Sequence, residues 1–373
     1  MLNHSYSDSS VAAPMLSAVA GETAPASDAP WSGIRHPGLS PAGSGAWTAI
    51  VSPEITRFDR QAVWRKSFRP DVRRWIAQYS SVGQRDLYLW QWCLHGIELT
   101  TLPCVPPALL HKLHDTKLLS VILCVLFDDV ADCGERAEWL STLLETCGER
   151  GVSGLPSGTE PSECSALELQ HRNVVRELWQ IYIERVSQLE HFEELEPIWR
   201  FDLGQFFNSM RYGHLANRFP ALINPAEHDV YSPHNMLMMT FLTLDLMASP
   251  PLPEQELGAL REAIWHAQAM GRIGNVLSTW KREIRDRDFT GGIFSLALQQ
   301  GTLSTAELQH LPGVELEARI MQAGYEAQLL ARWETHRAIL QRAASRVQSM
   351  DMQAVLTGHD RFLQMHLQST GQI

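Results

Sequence analysis

The chain has 373 residues, 45% of them hydrophobic and 12 of them Trp, enough apolar material for one large core or two modest ones. Its formal net charge of -11 excludes a typical nucleic-acid binder, whose phosphate contacts need a surplus of Lys and Arg. An anionic substrate would have to be neutralised by metal ions or by local arginines.

Residues 1–46 are rich in Ala, Ser, Gly and Pro without a sustained apolar period, and read as a disordered leader. They show neither the basic start and apolar stretch of a secretion signal nor the Arg content of a transit peptide, so a cytoplasmic location is expected. The folded domain is expected over 47–350, starting near Trp47. From Pro70 onward apolar residues recur at threes and fours between Pro/Gly breaks, and no alternating strand pattern occurs. This spacing predicts helices over 70–81, 84–100, 107–132, 135–147, 163–191, 196–213, 233–248, 254–286, 303–310 and 316–349. Residues 351–373 are left as a C-terminal tail. The fold class is therefore all-α, a single helical bundle, and no solenoid-type repeat is present. The apolar stretch Leu118 to Phe127 is too short to span a bilayer, so no stable membrane insertion is expected. Six Cys without C-x-x-C spacing read as free thiols rather than a zinc site.

The helix over 107–132 is apolar almost all round from Lys117 to Phe127, which marks it as central in the bundle. It ends in Asp128, Asp129 and Asp132, before a turn at Cys133-Gly134. At about 100° per residue Asp128 and Asp132 share a face with Asp129 beside them, so three carboxylates are expected to converge. Such a cluster at a negative helix end calls for a cation, and hard oxygen ligands suit magnesium. The alternative is a solvated acidic helix end.

On the helix over 254–286, Asn275, Thr279 and Glu283 recur every fourth residue, and Arg272 and Arg282 fall on the same stripe. Ile273, Val276, Leu277, Trp280 and Ile284 occupy the other side. An amide oxygen, a hydroxyl and a carboxylate reaching back along the helix form a plausible magnesium site, with the two arginines able to hold phosphate oxygens. A half-exposed polar stripe is the alternative. Asp245, inside an apolar helix, reads as a hydrogen-bonded core Asp.

The two patterns, 147 positions apart (275 − 128), resemble the paired metal motifs of class I terpene synthases, D-D-x-x-D and N-x-x-x-[ST]-x-x-x-E, in that family's order. The resemblance covers residues 47–350 and implies a bundle around a central apolar active-site cavity. It also implies three Mg2+ ions held by Asp128, Asp129, Asp132, Asn275, Thr279 and Glu283. Asp128 would lead the first motif, and Arg282 resembles the basic residue that contacts diphosphate. Ionisation of an isoprenyl diphosphate would then lead to cyclisation or rearrangement, deprotonation or water capture, and release of diphosphate. The stretch Tyr231 to Met247 looks like bacterial diterpene synthases, which implies a C20 substrate, geranylgeranyl or bicyclic diterpenyl diphosphate, supplied by a prenyl synthase or a class II cyclase. A sesquiterpene synthase acting on farnesyl diphosphate is the alternative within the family, and a homodimer is compatible with it.

Two departures from the family pattern stand out. No Arg lies near His234, so His234, Asn235, Arg211 or Arg218 would have to sense the diphosphate, and the C-terminal Arg-Tyr pair is missing, with Trp333 to His336 the nearest stretch. Candidate cavity aromatics are Phe127, Phe241, Phe206 and Phe207, with Trp90 and Trp92. Three competing readings are a prenyl-elongating synthase, which would carry a second D-D-x-x-D, a di-iron bundle, and a non-catalytic helical interaction protein. The di-iron reading rests on the Glu168/His171 and Glu307/His310 spacings.

Overall fold

The computed structural model describes residues 60–132, 137–148 and 165–372; the expected leader, the start at Trp47 and the turn at Cys133-Gly134 lie outside them. Among the described residues every regular element is a helix. The first seven are α1 (Arg60–Trp64), α2 (Pro70–Tyr79), α3 (Leu87–Thr100), α4 (Pro107–Ala131), α5 (Ala137–Thr146), α6 (Ala166–Ser187) and α7 (Phe192–Arg218). The next four are α8 (Pro225–Tyr231), α9 (Met238–Met247), α10 (Glu254–Asp286) and α11 (Gly292–Gln299). The last are α12 (Thr305–His310), α13 (Gly313–Ala323), α14 (Tyr325–Ala344) and α15 (Met352–Gln368). No helix among the described residues is long and apolar enough to cross a membrane.

Two helices organise the rest. α4 starts on Pro106-Pro107, where the missing amide costs nothing, and its Leu118, Leu119, Ile122, Leu126 and Phe127 are at most 1% exposed. A helix apolar on all sides must be surrounded, and α4 is packed by α2, α3, α5, α6, α7 and α9. α10, 33 residues and about 50 Å long, lies against α9, α13, α14 and α15. Buried ion pairs fix the register between layers. Asp202 of α7 accepts from both Arg261 of α10 (2.6 and 3.0 Å) and Thr243 of α9 (2.7 Å). Lys117 of α4 lies 2.6 Å from Asp245 of α9, whose other oxygen accepts from the Leu102 amide at 3.0 Å. Asp245 is thus the hydrogen-bonded core Asp expected from sequence.

Several boundaries differ from the sequence reading, each for a local reason. α7 begins at Phe192 rather than 196, with Pro197 inside; so near the start, the missing amide forgoes a single backbone bond. The helix expected over 233–248 is broken at Leu237, whose φ of 58° is left-handed, leaving a 3-10 turn at Ser232–Met236 before α9. That over 316–349 is divided by Gly324 at φ 69° into α13 and α14.

The largest correction is the C-terminal tail. Residues 352–368 form α15, capped by Asp351, whose carboxylate accepts from the Gln353 and Ala354 amides. Its buried face mixes Val355, Phe362 and Met365 with His359, Gln364 and His366, which hid its periodicity. Gly358 lets it lie against α3, because a Cβ there would stand 2.1 Å from the Leu99 carbonyl oxygen.

Candidate active site

A cavity of about 180 Å³ opens between α3, α4, the turn before α9, α10 and α15. Asp128 and Asp132, at the end of α4, line it, and so do Asn275, Thr279, Arg272, Arg282 and Glu283 of α10. The two sequence patterns therefore meet across one hollow. The α10 stripe is not a solvated face: Thr279, Glu283 and Arg272 are 2%, 4% and 8% exposed. Away from these groups the walls are apolar, formed by Leu89, Ile97, Val121, Val125, Leu237, Met238, Trp92, Phe241 and Phe362.

The polar end is short of positive charge. Burial and the neighbouring Asp288 push Asp128 up, and burial, Asp128 and Asp288 push Asp132 well above the carboxylate range. Burial and Asp288 likewise raise Glu283 to about 7. Glu283 Oε1 accepts from the Thr279 hydroxyl at 2.7 Å, but its Oε2 is buried without a partner. Arg272 donates to Asn275 Oδ1 at 2.6 Å and to Ser232 Oγ at 2.8 Å, and thereby presents the Asn275 amide. Arg282 reaches only to 3.6 Å from Asp286, and its Nε is otherwise unpartnered.

Asp129 departs from the expected convergence. It accepts from the Tyr79 hydroxyl at 2.7 Å and from Arg85 at 3.1 and 3.3 Å, and it does not line the cavity. Only two of the three carboxylates point together, because a buried Tyr and an Arg outcompete the hollow for the third. Among the described residues no three His, Cys, Asp or Glu side chains gather tightly enough to hold an ion by themselves.

Other expectations also need correction. His234 is turned away from the cavity, toward Gln268 at 3.3 Å and the Trp265 ring, and burial lowers it to about 4. Asn235 does line the cavity and donates to Asp128 Oδ1 at 3.2 Å. Arg211 and Arg218 are not among the lining residues; Arg211 donates to Asn208 and Arg218 covers the Phe219 ring. Phe127, Phe206 and Phe207 pack on one another in the core, whereas Phe241 and Trp92 line the hollow. Glu168 and Glu307 close capping boxes with Ser165 and Ser304, and among the described residues no di-iron ligand set gathers around either.

Arg85, Asp288 and Phe362 line the cavity without having been singled out in the sequence. Arg85 immediately precedes Asp86, which caps α3, so nothing local marked it. Asp288 follows Arg287, whose left-handed φ of 60° reverses the chain so that the Asp288 amide donates to the Glu283 carbonyl at 2.9 Å. Asn217 and Thr290 then hold its carboxylate.

The donors suit a hard divalent cation. They are carboxylate, amide and hydroxyl oxygens, the carboxylates Asp128, Asp132, Glu283 and Asp288 outnumber the guanidiniums Arg85, Arg272 and Arg282 that line the same end, and one buried oxygen is orphaned. A cation that takes one or two carboxylates and completes its shell with phosphate oxygens and water fits two split half-sites better than a closed protein cage.

No family model matches the chain, and no curated protein matches it. Among solved structures it is similar to linalool/nerolidol synthase from Streptomyces clavuligerus, in complex with 2-fluorogeranyl diphosphate, at 15% identity and a TM-score of 0.46, covering 84% of this chain and 99% of that one. It is also similar to farnesyl diphosphate synthase from T. brucei, at 10% identity and a TM-score of 0.46, covering 81% of this chain and 92% of that one. At these values neither assigns a substrate to this chain.

Proposed function

We propose that the chain is a class I terpene synthase that ionises an isoprenyl diphosphate and shapes the resulting carbocation in the apolar end of the cavity. The observation that carries this reading is the meeting of Asp128 and Asp132 with Asn275, Thr279 and Glu283 across one hollow whose far walls are apolar and aromatic. Magnesium, held by these five residues, would neutralise the diphosphate and stabilise it as a leaving group. Arg85, Arg272 and Arg282 supply guanidinium donors for the diphosphate oxygens at the same end. Trp92, Phe241 and Phe362 offer ring faces to positive charge, and the aliphatic walls exclude water while the chain folds. On the likeness of Tyr231–Met247 to bacterial diterpene synthases we propose a C20 substrate, geranylgeranyl or bicyclic diterpenyl diphosphate, supplied by a prenyl synthase or a class II cyclase.

Incubation with geranyl, farnesyl, geranylgeranyl and a bicyclic diterpenyl diphosphate plus magnesium tests the reading. Diphosphate release with a terpenoid product is expected from a C20 substrate. Turnover confined to farnesyl diphosphate would make it a sesquiterpene synthase. A requirement for isopentenyl diphosphate would make it an elongase, and no release at all would favour an interaction protein.

A further inference from the structure

Behind the apolar end lies a second, smaller cavity. Its volume of about 10 Å³ is about what one water molecule needs. Thr100, Met238 and Phe241 line both cavities, so little more than these side chains separates them. The small cavity is not simply apolar, because Asp245 and His359 line it as well. His359, on α15, is 3% exposed, and neither of its ring nitrogens has a partner. Leaving two polar nitrogens buried and unpaired costs stability that a bound water would recover. Asp245 holds Lys117 and the Leu102 amide and retains lone pairs, and the Thr100 hydroxyl donates to the Gly96 carbonyl with lone pairs to spare. All three can accept, and a water that donates its two hydrogens among them has the polar partners a buried water requires.

Taking the proposed carbocation chemistry as given, we infer that His359, Asp245 and Thr100 hold a water behind Phe241 and Met238, and that this water captures the carbocation to give a terpene alcohol. The water oxygen supplies the electron pair of the new carbon-oxygen bond. The oxonium that results gives one proton to the neutral imidazole of His359, which returns it to solvent when product leaves. The sum is substrate plus water giving alcohol, diphosphate and a proton. Burial holds His359 down to about 4, so it is neutral before the step and still far more basic than an oxonium. Met238 is the movable part of the partition, being unbranched and adaptable.

Two measurements test this, and they fail separately from the proposed function. A high-resolution crystal structure of the protein is expected to show an ordered water within hydrogen-bond distance of a His359 nitrogen; a dry cavity overturns the inference whatever the enzyme does. With the accepted substrate in 18O-labelled water, the wild type is expected to give labelled alcohol. His359→Leu is expected to lower the alcohol-to-hydrocarbon ratio about tenfold or more while diphosphate release changes little, and His359→Gln, which can hold the water but not take up its proton, is expected to recover only part of the ratio. Ile264→Phe fills the cavity from the α10 wall while leaving the His359 side chain in place, and is expected to lower the ratio too, which covers a His359→Leu that fails to fold. An unchanged ratio in a folded variant, or a wild type yielding only hydrocarbon, overturns the water site and leaves the synthase reading standing. Absence of diphosphate release from every allylic diphosphate removes the synthase reading itself, and this inference with it.

Discussion

At its polar end the cavity is walled by two helix segments whose oxygen-bearing side chains repeat at every fourth residue, Asp128 with Asp132 and Asn275 with Thr279 and Glu283. At its apolar end it is walled by Trp92 of α3, Phe241 of α9 and Phe362 of α15, which share no spacing at all. Local periodicity within one helix survives into the fold, because 3.6 residues per turn fix which side chains share a face. A wall assembled from distant helices depends on how those helices dock, and docking leaves no local trace.

The comparison is broken most decisively within the acidic helix end. Asp128 and Asp129 are adjacent in sequence but serve different ends, one facing the cavity and the other bound to Tyr79 and Arg85. Asp128→Ala is expected to lower diphosphate release by about 10³-fold or more, as when a group stabilising developing charge is removed. Asp129→Ala is expected to cost about 10- to 100-fold, the effect of losing an outer partner that orients the site. Single-turnover measurements of both variants check this, and equal losses would mean that all three carboxylates act as one cluster.

The apolar end can be sharpened by contrasting two phenylalanines. Phe127 is fully buried against Phe206 and Phe207, whereas Phe241 faces the hollow. Phe127→Ala is expected to cost about 3–5 kcal/mol in denaturant unfolding with the product ratio unaltered. Phe241→Ala is expected to redistribute products, and its stability cost should be smaller because one side of the ring already borders open space. Product change in the first variant alone would reverse their assignment.

The sequence made the helical class legible, and with it the central helix α4 and the α10 stripe, because each is carried by a long, regular apolar pattern. It misled where a side chain had a choice of partners. Asp129 and Phe127 sit within two residues of Asp128, yet Tyr79, Arg85 and the α7 aromatics claimed them. His234 could only be placed once the left-handed Leu237 had ended the turn before α9. α15 was lost because its buried face carries imidazoles and an amide, residue types that count as polar in any pattern. Gly358→Ala probes that helix directly. Crowding the Leu99 carbonyl is expected to cost about 1–3 kcal/mol by forcing α3 and α15 apart, read from the urea midpoint. A neutral effect would mean that α15 is loosely docked.

Those same imidazoles give an effect that vanishes at neutral pH and grows in acid, and one that distinguishes α15 from the acid-lined polar end. In the unfolded chain a His takes up a proton near 6.5, whereas burial holds His359 down to about 4 and burial together with Arg272 holds His366 down to about 3. Above pH 6.5 both states carry neutral rings and the pair leaves stability independent of pH. Between pH 6.5 and 4 the unfolded chain binds more protons than the folded one, so stability falls as the solution is acidified. Each buried ring contributes a slope of up to about 1.4 kcal/mol per pH unit in that window. His359→Gln should therefore flatten the slope by up to that amount and leave stability above pH 7 less dependent on pH than on packing. Denaturant unfolding of wild type and variant at half-unit steps from pH 7.5 to 4 measures the difference. Parallel curves would mean that His359 is protonated in the folded protein and that α15 opens to solvent in acid.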